Sequence, residues 1–381
     1  MSRFFIAVFT IYGGAHVYVF LRARSAFKFG AGPGIALALF MLLMVGSPFL
    51  IRSLELQEFE RAARSLAYVA YTWMAVLLLF FSGAVILDLF GLAVRLAGWL
   101  TRSDLSSLLL SSRTSFLACL SLAVIISFYG YFEARGIRTE RVRIETGKLP
   151  AGVDRLTIVQ ISDVHLGLIV RKSRLERILG IVQAAKPDIL VSTGDLVDAQ
   201  INHRTGLAGM LRDVRPRFGK YAITGNHEYY AGIGKAIDFT QEAGFTVLRN
   251  ATATAGPITL IGVDDRTGVQ LNRERPIVEK DILAKLPRDK FILFLKHQPR
   301  IDRESVGLFD LQISGHTHKG QIFPFTFLTQ LAFPMIAGDY DLGKGSLLHV
   351  SRGTGTWGPP IRFLAPPEVT VYELVRKGGA T

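Results

Sequence analysis

Side chains that could bind a metal ion or transfer a proton are concentrated in five short motifs of the second half of the chain. The motifs are SDVHLG with Asp163 and His165, TGDLVD with Asp195 and Asp198, TGNHEYY with Asn226 and His227, KHQP with His297, and SGHTH with His316 and His318. They hold five of the eight histidines. Histidines distributed at random over a surface would not be concentrated in this way. Each motif alone has an ordinary explanation as a turn or a helix cap, so the prediction of a site rests on all five together.

The donor types in these motifs favour a centre with two metal ions. Carboxylate, amide and imidazole groups suit Mn, Fe or Zn, and a single cysteine, Cys119, excludes a cysteine-ligated zinc site within one chain. Eight such donors are too many for one tetrahedral ion and suit two ions that share a carboxylate. Two ions about 3.5–4 Å apart can polarise a phosphoryl group and generate hydroxide from a bridging water. The remaining histidine would donate a proton to the leaving oxygen.

Short buried strands are the elements expected to position these motifs. Apolar and β-branched runs occupy 155–162, 187–193 and 308–314, with the shorter runs YAIT, ITLIGV and FILFL between them. Turns that follow buried strands are where an α/β sheet presents its ligands. Gly194, Gly225 and Gly315 directly precede polar residues and allow sharp turns.

One helix is expected between the first two strands. Ser173 and Glu176 match a capping box, and apolar residues follow from Leu175 at helical spacing. The sequence therefore predicts a strand–helix–strand unit at the start of this domain.

The first third of the chain is far more apolar than the rest of its 381 residues. Four stretches, at about 4–21, 31–51, 66–91 and 114–132, are long enough to cross a bilayer, which needs about 20 residues. Residues 92–113 mix apolar and basic residues, and we expect a short helix on the membrane surface there. We therefore predict a helical membrane domain at 1–132, a basic connector at 133–152 and an α/β domain at 153–381.

The net charge of +13 is explained better by basic flanks of membrane spans than by nucleic-acid binding, because no basic stripe with interleaved aromatic residues occurs. On an alternating four-span path, nine Lys and Arg residues lie on one side and six on the other. The positive-inside rule then places both termini and the catalytic domain of this multi-pass protein in the cytoplasm. We expect His16 to be neutral and hydrogen-bonded to a neighbouring helix, and Asp88 to reach the membrane interface.

The order D-x-H, G-D-x-x-D, G-N-H-E, H and G-H-x-H resembles the signature of the calcineurin-like metallophosphoesterase superfamily over about residues 150–381. The resemblance implies a two-sheet β-sandwich flanked by helices, with a dinuclear metal centre at the strand ends. It also implies a role for each matching residue. Asp163, His165 and His318 would hold the first metal, Asn226, His297 and His316 the second, Asp195 would bridge them, His227 would be the catalytic acid, and Asp198 would orient its ring.

Residues 345–374 are similar to the tail of a membrane-associated bacterial branch that contains YkuE- and YaeI-like phosphodiesterases. Some members of that branch hydrolyse the pyrophosphate of UDP-2,3-diacylglucosamine. Arg352 and Arg362 in this tail are predicted either to contact a substrate phosphate or to brace loops by pairing with carboxylates. Trp357 is either a loop lid or a membrane-facing anchor, and His203 and His349 are expected to be structural.

These observations support three hypotheses. The first is a membrane-anchored phosphoesterase with two divalent ions, Mn before Fe or Zn, acting on a lipid-linked or membrane-proximal phosphodiester or pyrophosphate. The second is a cyclic nucleotide or nucleotide phosphodiesterase for which the spans are only an anchor. The third is a non-catalytic membrane sensor or scaffold. A protein phosphatase is disfavoured because Ala199 stands where those enzymes carry a phosphate-gripping Arg.

Overall fold

The computed structural model of the chain describes the backbone of residues 2–198 and 206–378, and the side chains from residue 9 onward within those ranges. Ala199 and His203 lie outside the described residues. The chain divides into two compact units. One runs up to Phe132 and includes Gly358–Phe363, and the other holds Glu133–Trp357 and the segment from Leu364 onward.

The first unit is built from long helices: α1 (Ser2–Phe27), α2 (Ala31–Leu56), α3 (Glu60–Thr101) and α4 (Ser112–Glu133), with a short 3-10 turn at Ser106–Leu108. Within the described residues, three segments are long and apolar enough to cross a membrane: Ala31–Leu56, Glu60–Thr101 and Ser106–Glu133. They coincide with three of the four predicted spans, and the fourth, 4–21, falls within α1. The expected surface helix at 92–113 is not separate, because α3 continues unbroken to Thr101.

Polar groups inside the helical unit are paired across helices. His16 Nδ1 lies 2.8 Å from the Tyr12 carbonyl, and the Trp73 indole N–H donates to His16 Nε2 at 2.9 Å. Asp88 accepts a hydrogen bond from Arg22 at 2.6 Å and forms an ion pair with it. Buried His16 and exposed Asp88 therefore both have partners on another helix, which offsets the cost of removing a polar group from water.

The second unit contains two six-stranded sheets, with strand orders β1-β12-β2-β3-β4-β5 and β10-β11-β9-β8-β7-β6. The strands are β1 (Arg138–Thr146), β2 (Arg155–Ile161), β3 (Ile189–Ser192), β4 (Lys220–Ala222), β5 (Thr246–Val247), β6 (Ala251–Ala255), β7 (Ile258–Gly262), β8 (Phe291–Leu295), β9 (Leu311–Ser314), β10 (Gly338–Gly343), β11 (Ser346–Val350) and β12 (Glu368–Arg376). The helices are α5 (Lys172–Ala184), α6 (Leu207–Arg212), α7 (Asn226–Ala231), α8 (Ile233–Glu242), α9 (Thr267–Gln270), α10 (Glu279–Leu283) and α11 (Phe325–Ala332).

The two sheets pack face to face, and helices cover their outer faces. Ile158 of β2 packs in the inner core with Leu293 of β8, whereas Val159 packs with Ile178 of α5 on the outer face. This alternation follows from the two-residue period of a strand. The predicted two-sheet sandwich flanked by helices is therefore confirmed.

Two local expectations differ from the structure. The segment expected as a basic connector contains β1, which pairs in parallel with β12 at the sheet edge. Alternating charges such as Arg141 and Arg143 are typical of an exposed edge strand. They also resemble a basic linker, so the strand was not predicted. The helix α5 begins at Lys172 after Arg171, so Ser173 lies inside it and makes no cap.

Candidate metal centre

The five motifs follow the carboxyl ends of parallel strands and lie in loops or, for Asn226 and His227, at the start of α7. In the first sheet β2, β3 and β4 run parallel and lead to Asp163, Asp195 and Asn226. In the second sheet β8 and β9 run parallel and lead to His297 and His316. Because all five strands end at this side of the sandwich, residues far apart in the sequence meet there.

Five of the candidate ligands have a left-handed backbone, which residues other than glycine seldom adopt. The φ values are 53° for Asp163 and His165, 51° for Asp195, 70° for His316 and 48° for His318. Such conformations cost of order 1–3 kcal/mol each and are found mainly at functional sites. In both D-x-H and H-x-H the two donors share this conformation, which turns each pair toward the centre.

A first group of donors consists of Asp163, His165 and His318, all buried. His318 Nε2 lies 3.4 Å from Asp163 Oδ1 and 3.1 Å from His165 Nε2. Two ring nitrogens and a carboxylate oxygen therefore converge on one point, as the ligands of a metal ion do.

A second group consists of Asn226, His297, His316 and Asp195. His316 Nδ1 lies 2.8 Å from Asn226 Oδ1 and 3.2 Å from His297 Nε2. Asp195 Oδ2 lies 3.2 Å from His297 Nε2 and 3.9 Å from His165 Nε2 of the first group. Asp195 thus stands between the two groups.

The second group suits a cation on the evidence of its own hydrogen bonds. His297 Nδ1 lies 2.8 Å from the Thr193 carbonyl, which only accepts, so Nδ1 carries the proton. In a neutral ring Nε2 then presents a lone pair to Asn226 Oδ1 at 3.1 Å and to Asp195 Oδ2, which are both acceptors. Burial lowers the pKa of His297, but the charges of Asp195 and Asp163 outweigh it and raise that pKa well above its usual value. The centre therefore attracts positive charge, and its oxygen and nitrogen donors fit a divalent metal.

His227 and Asp198 form a pair beside the two groups. His227 Nδ1 lies 2.8 Å from Asp198 Oδ1, and the His227 backbone N–H donates to Asp195 Oδ1 at 2.8 Å. Burial lowers the pKa of His227, but Asp195 and Asp198 raise it to about 9. With Nδ1–H held by Asp198, the opposite nitrogen of a protonated ring is available as a proton donor.

Glu228, to which the motif G-N-H-E alone assigns no role, connects the second and third motifs. Its buried carboxylate accepts hydrogen bonds from the backbone N–H groups of Asp195, Leu196 and Gly225 at 2.9, 2.8 and 2.7 Å. The loop that carries Asp195 and the loop that carries Asn226 are therefore fixed to the same side chain. A carboxylate two residues from a ligand was the available signal, but only the folded chain reveals its partners.

Two positions of this centre require glycine, because atoms of a facing loop lie too close for a Cβ atom. A Cβ at Gly225 would collide with the Asp195 carboxylate, and a Cβ at Gly315 would collide with Ser162 and Asp163. The loops of facing motifs therefore pack directly on the donors, and any larger residue would displace them.

The two arginines of the tail have different environments. Arg352 pairs with Glu368 at 2.5 Å and Glu140 at 2.9 Å, and it donates to the Pro366 carbonyl. Arg362 is fully buried, and its backbone N–H donates to the Gly130 carbonyl. The ion pairs of Arg352 correspond to the alternative in which it braces loops by pairing with carboxylates.

Trp357 and His349 have separate environments. The Trp357 ring is 5.9 Å from the His227 ring and half exposed, and the loop is held by two backbone hydrogen bonds with the Gln321 side chain. His349 is buried, 2.7 Å from Asp339 and 3.7 Å from Glu368. Trp357 therefore borders the centre, whereas His349 belongs to an ion-pair cluster.

The comparisons with known proteins agree on the family. The calcineurin-like phosphoesterase family matches residues 156–320. An uncharacterized metallophosphoesterase of Aquifex aeolicus is 40% identical over 260 residues, which cover 68% of this chain and 99% of the relative. One of Campylobacter jejuni is 30% identical over 384 residues and covers 98% of both chains.

Further relatives bear on the branch and on the membrane. A zebrafish (Danio rerio) transmembrane protein with a metallophosphoesterase domain is 34% identical over 312 residues, which cover 77% of this chain and 70% of the relative. The metallophosphoesterase YkuE of Bacillus subtilis is 33% identical over 258 residues, covering 64% of this chain and 87% of the relative. The chain belongs to the calcineurin-like metallophosphoesterase family and is a membrane-associated, metal-dependent phosphoester hydrolase.

Proposed function

We propose that the protein is a membrane-anchored phosphoesterase that hydrolyses a phosphodiester or pyrophosphate bond with the help of two divalent metal ions. The observation that carries the proposal is the position of Asp195 between two groups of donors, 3.2 Å from His297 and 3.9 Å from His165. A carboxylate in this position suits a pair of ions about 3.5–4 Å apart.

Asp163, His165 and His318 would hold one ion, Asn226, His297 and His316 the other, and Asp195 both. Mn is the metal we expect, with Fe or Zn as alternatives, because the donors are carboxylate, amide and imidazole groups without a thiolate. When bound, the ions would supply Lewis acidity and activate the attacking water.

The chain itself would supply the proton for the leaving oxygen. His227 is the donor in this proposal, because the neighbouring Asp198 carboxylate raises its pKa and favours the protonated ring. Asp198 holds the ring by accepting from Nδ1. We assign Arg352 to bracing because it pairs with Glu368 and Glu140, and Arg362 likewise because it is fully buried.

The substrate class we propose is a lipid-linked or membrane-proximal phosphodiester or pyrophosphate, of which UDP-2,3-diacylglucosamine is an example. Three segments able to cross a membrane support this proposal over a soluble substrate, because they keep the hydrolase at a lipid surface. We assign the membrane domain to 1–132 and the hydrolase to 153–381, with β1 of the connector completing its first sheet. We also propose that α1 crosses the membrane, which would place both termini and the hydrolase in the cytoplasm.

A substrate panel on the full-length, Mn-loaded protein in detergent tests the substrate class. It should include UDP-diacylglucosamine, phospholipids and cyclic nucleotides, each at matched concentration. We expect the highest kcat/KM on a lipid-linked compound. A preference for the cyclic nucleotide would replace the lipid proposal with the nucleotide alternative, and a metal-free, inactive protein would support a scaffold.

A further inference from the structure

The helix α11 has an unusual surface for a part of a folded domain. It begins at Phe325, shortly after the SGHTHKG segment at 314–320, its sequence FTFLTQLA contains no charged residue, and none of its residues is buried. Phe327 exposes 60% of its surface, Leu328 57% and Leu331 83%. Large apolar residues exposed together, rather than singly, mark a surface that has a partner.

The position of α11 is fixed relative to the candidate metal centre. The Thr326 hydroxyl donates to the Lys319 carbonyl at 3.1 Å, and the Phe325 N–H donates to the Ile322 carbonyl at 2.8 Å. At its other end, the Phe333 ring lies 4.9 Å from the His316 ring. The exposed apolar surface therefore ends beside a candidate ligand.

Cations border the same surface. A groove of about 620 Å³ next to α11 is lined by Ala332, Phe333, Pro334 and Met335 on one side and by Arg300, Arg303 and Lys344 among its other residues. Arg300 lies over the Phe333 ring, 4.6 Å from its centroid. An apolar helix bordered by basic residues is the pattern of segments that lie in the interface of an anionic bilayer.

We propose that the surface formed by α11 and this groove docks on an anionic lipid bilayer, with Leu328 and Leu331 in the acyl region and Arg303 and Lys344 at the headgroups. A bilayer is the partner that the chain already holds nearby, because its N-terminal unit carries three segments able to cross one. Docking would present the centre to substrates at the membrane surface. The docking itself does not depend on the proposed activity.

Spin labelling of the full-length chain tests the proposal independently of catalysis. Cys119 is the single cysteine, so Cys119→Ala gives a background in which Leu331→Cys carries the only label, and Leu328→Cys provides a second position. The matched control is Gln241→Cys on the exposed face of α8. The protein is reconstituted in vesicles of phosphatidylethanolamine and phosphatidylglycerol, and the collision rates of each label with oxygen and with a water-soluble nickel chelate are measured.

At positions 331 and 328 we expect the label to collide more often with oxygen than with the nickel chelate. At position 241 we expect the collision rate with the nickel chelate to be the higher one. Water-like accessibility at all three positions would overturn the proposal. Dipolar broadening at position 331 that disappears on dilution with unlabelled protein would overturn it in favour of a second copy as the partner. The measurement does not depend on any rate of hydrolysis. If the labels at positions 331 and 328 lie in the acyl region but the protein is inactive, the docking is supported and only the proposed function is rejected.

Discussion

At the scale of single residues, Asp195 is the side chain that connects the two donor groups, because it stands between them. The sequence motifs were sufficient to select the candidate donors, since their types and order are specific. They could not reveal the left-handed backbone of Asp163 or His316, which depends on the loops packed around them. Nor could they reveal the partners of Glu228, whose contacts join residues more than thirty positions apart.

The two histidines of G-H-x-H should serve different ions. His316 contacts Asn226 and His297, whereas His318 contacts His165 and Asp163. We expect His316→Ala and His318→Ala each to lose about one of two bound metal equivalents, because each removes a ligand from one site only. Metal content measured on the purified variants by elemental analysis checks this, and loss of both equivalents in either variant would contradict separate sites.

The role of His227 can be separated from metal binding by the choice of leaving group. We expect His227→Asn to reduce kcat by roughly 10²–10⁴-fold on a diester with an alkoxide leaving group, because general acids contribute that much. The loss should be small with 4-nitrophenolate, which needs no proton to depart. Metal content serves as the control. An equal loss with both leaving groups, or a lost metal ion, would rule out the acid role.

At the scale of elements, the strands that carry the motifs were predictable, because each is a short apolar run followed by glycine and polar residues. The edge strand β1 was not, since its outward charges resemble a basic linker. The capping pattern at Ser173 and Glu176 predicted the wrong start for α5, which begins at Lys172. The helix α3 continues ten residues past its predicted end at 91. Local patterns thus identify buried elements better than edges and ends, where solvent exposure weakens the pattern.

Glu228 couples the loop after β3 to the start of α7, so its loss should act through the geometry of the centre. Glu228→Gln keeps the shape but places an amide donor among backbone N–H donors. We expect metal affinity to fall about 10–100-fold, as for other groups that orient ligands. Glu242→Gln, on the exposed surface of α8, is the matched control. Unchanged metal affinity in Glu228→Gln would contradict the positioning role.

His349 of β11 should give part of the fold a dependence on pH. It faces Asp339 and Glu368, and Glu368 also binds Arg352. Burial lowers the pKa of His349, but the two carboxylates raise it above its usual 6.5. The stability that it contributes is therefore complete below pH 6.5 and is lost as the pH rises through the raised pKa.

The free energy of unfolding of the wild type and of His349→Gln, measured in detergent over a pH series, checks this dependence. We expect the difference between them to be largest in the acidic range and to shrink toward alkaline pH. Asp339→Asn removes one of the two carboxylate charges that face His349. The stability contributed by His349 should then be lost at a lower pH. A difference that stays constant across the series would show that His349 acts by packing alone.

At the scale of the whole molecule, the order of strands and motifs made the two-sheet sandwich predictable, because it matches a known family signature. The topology was not predictable from local patterns. The C-terminal β12 inserts between β1 and β2, pairing Tyr372 with Ile158 more than two hundred residues earlier. Such pairing depends on long-range packing rather than on sequence periodicity. Likewise, Gly358–Phe363 groups with the helical unit although it lies in the tail.

Two metal ions that share Asp195 should activate the phosphoester for hydrolysis, and Asp195→Asn provides the test. The full-length protein and the variant are loaded with Mn, and the metal content and the rate on bis(4-nitrophenyl) phosphate are measured on the same samples. We expect about two bound ions and hydrolysis for the wild type, and a loss of rate on the order of 10³-fold for the variant, since the ions supply several kcal/mol. Full activity in Asp195→Asn would contradict this expectation.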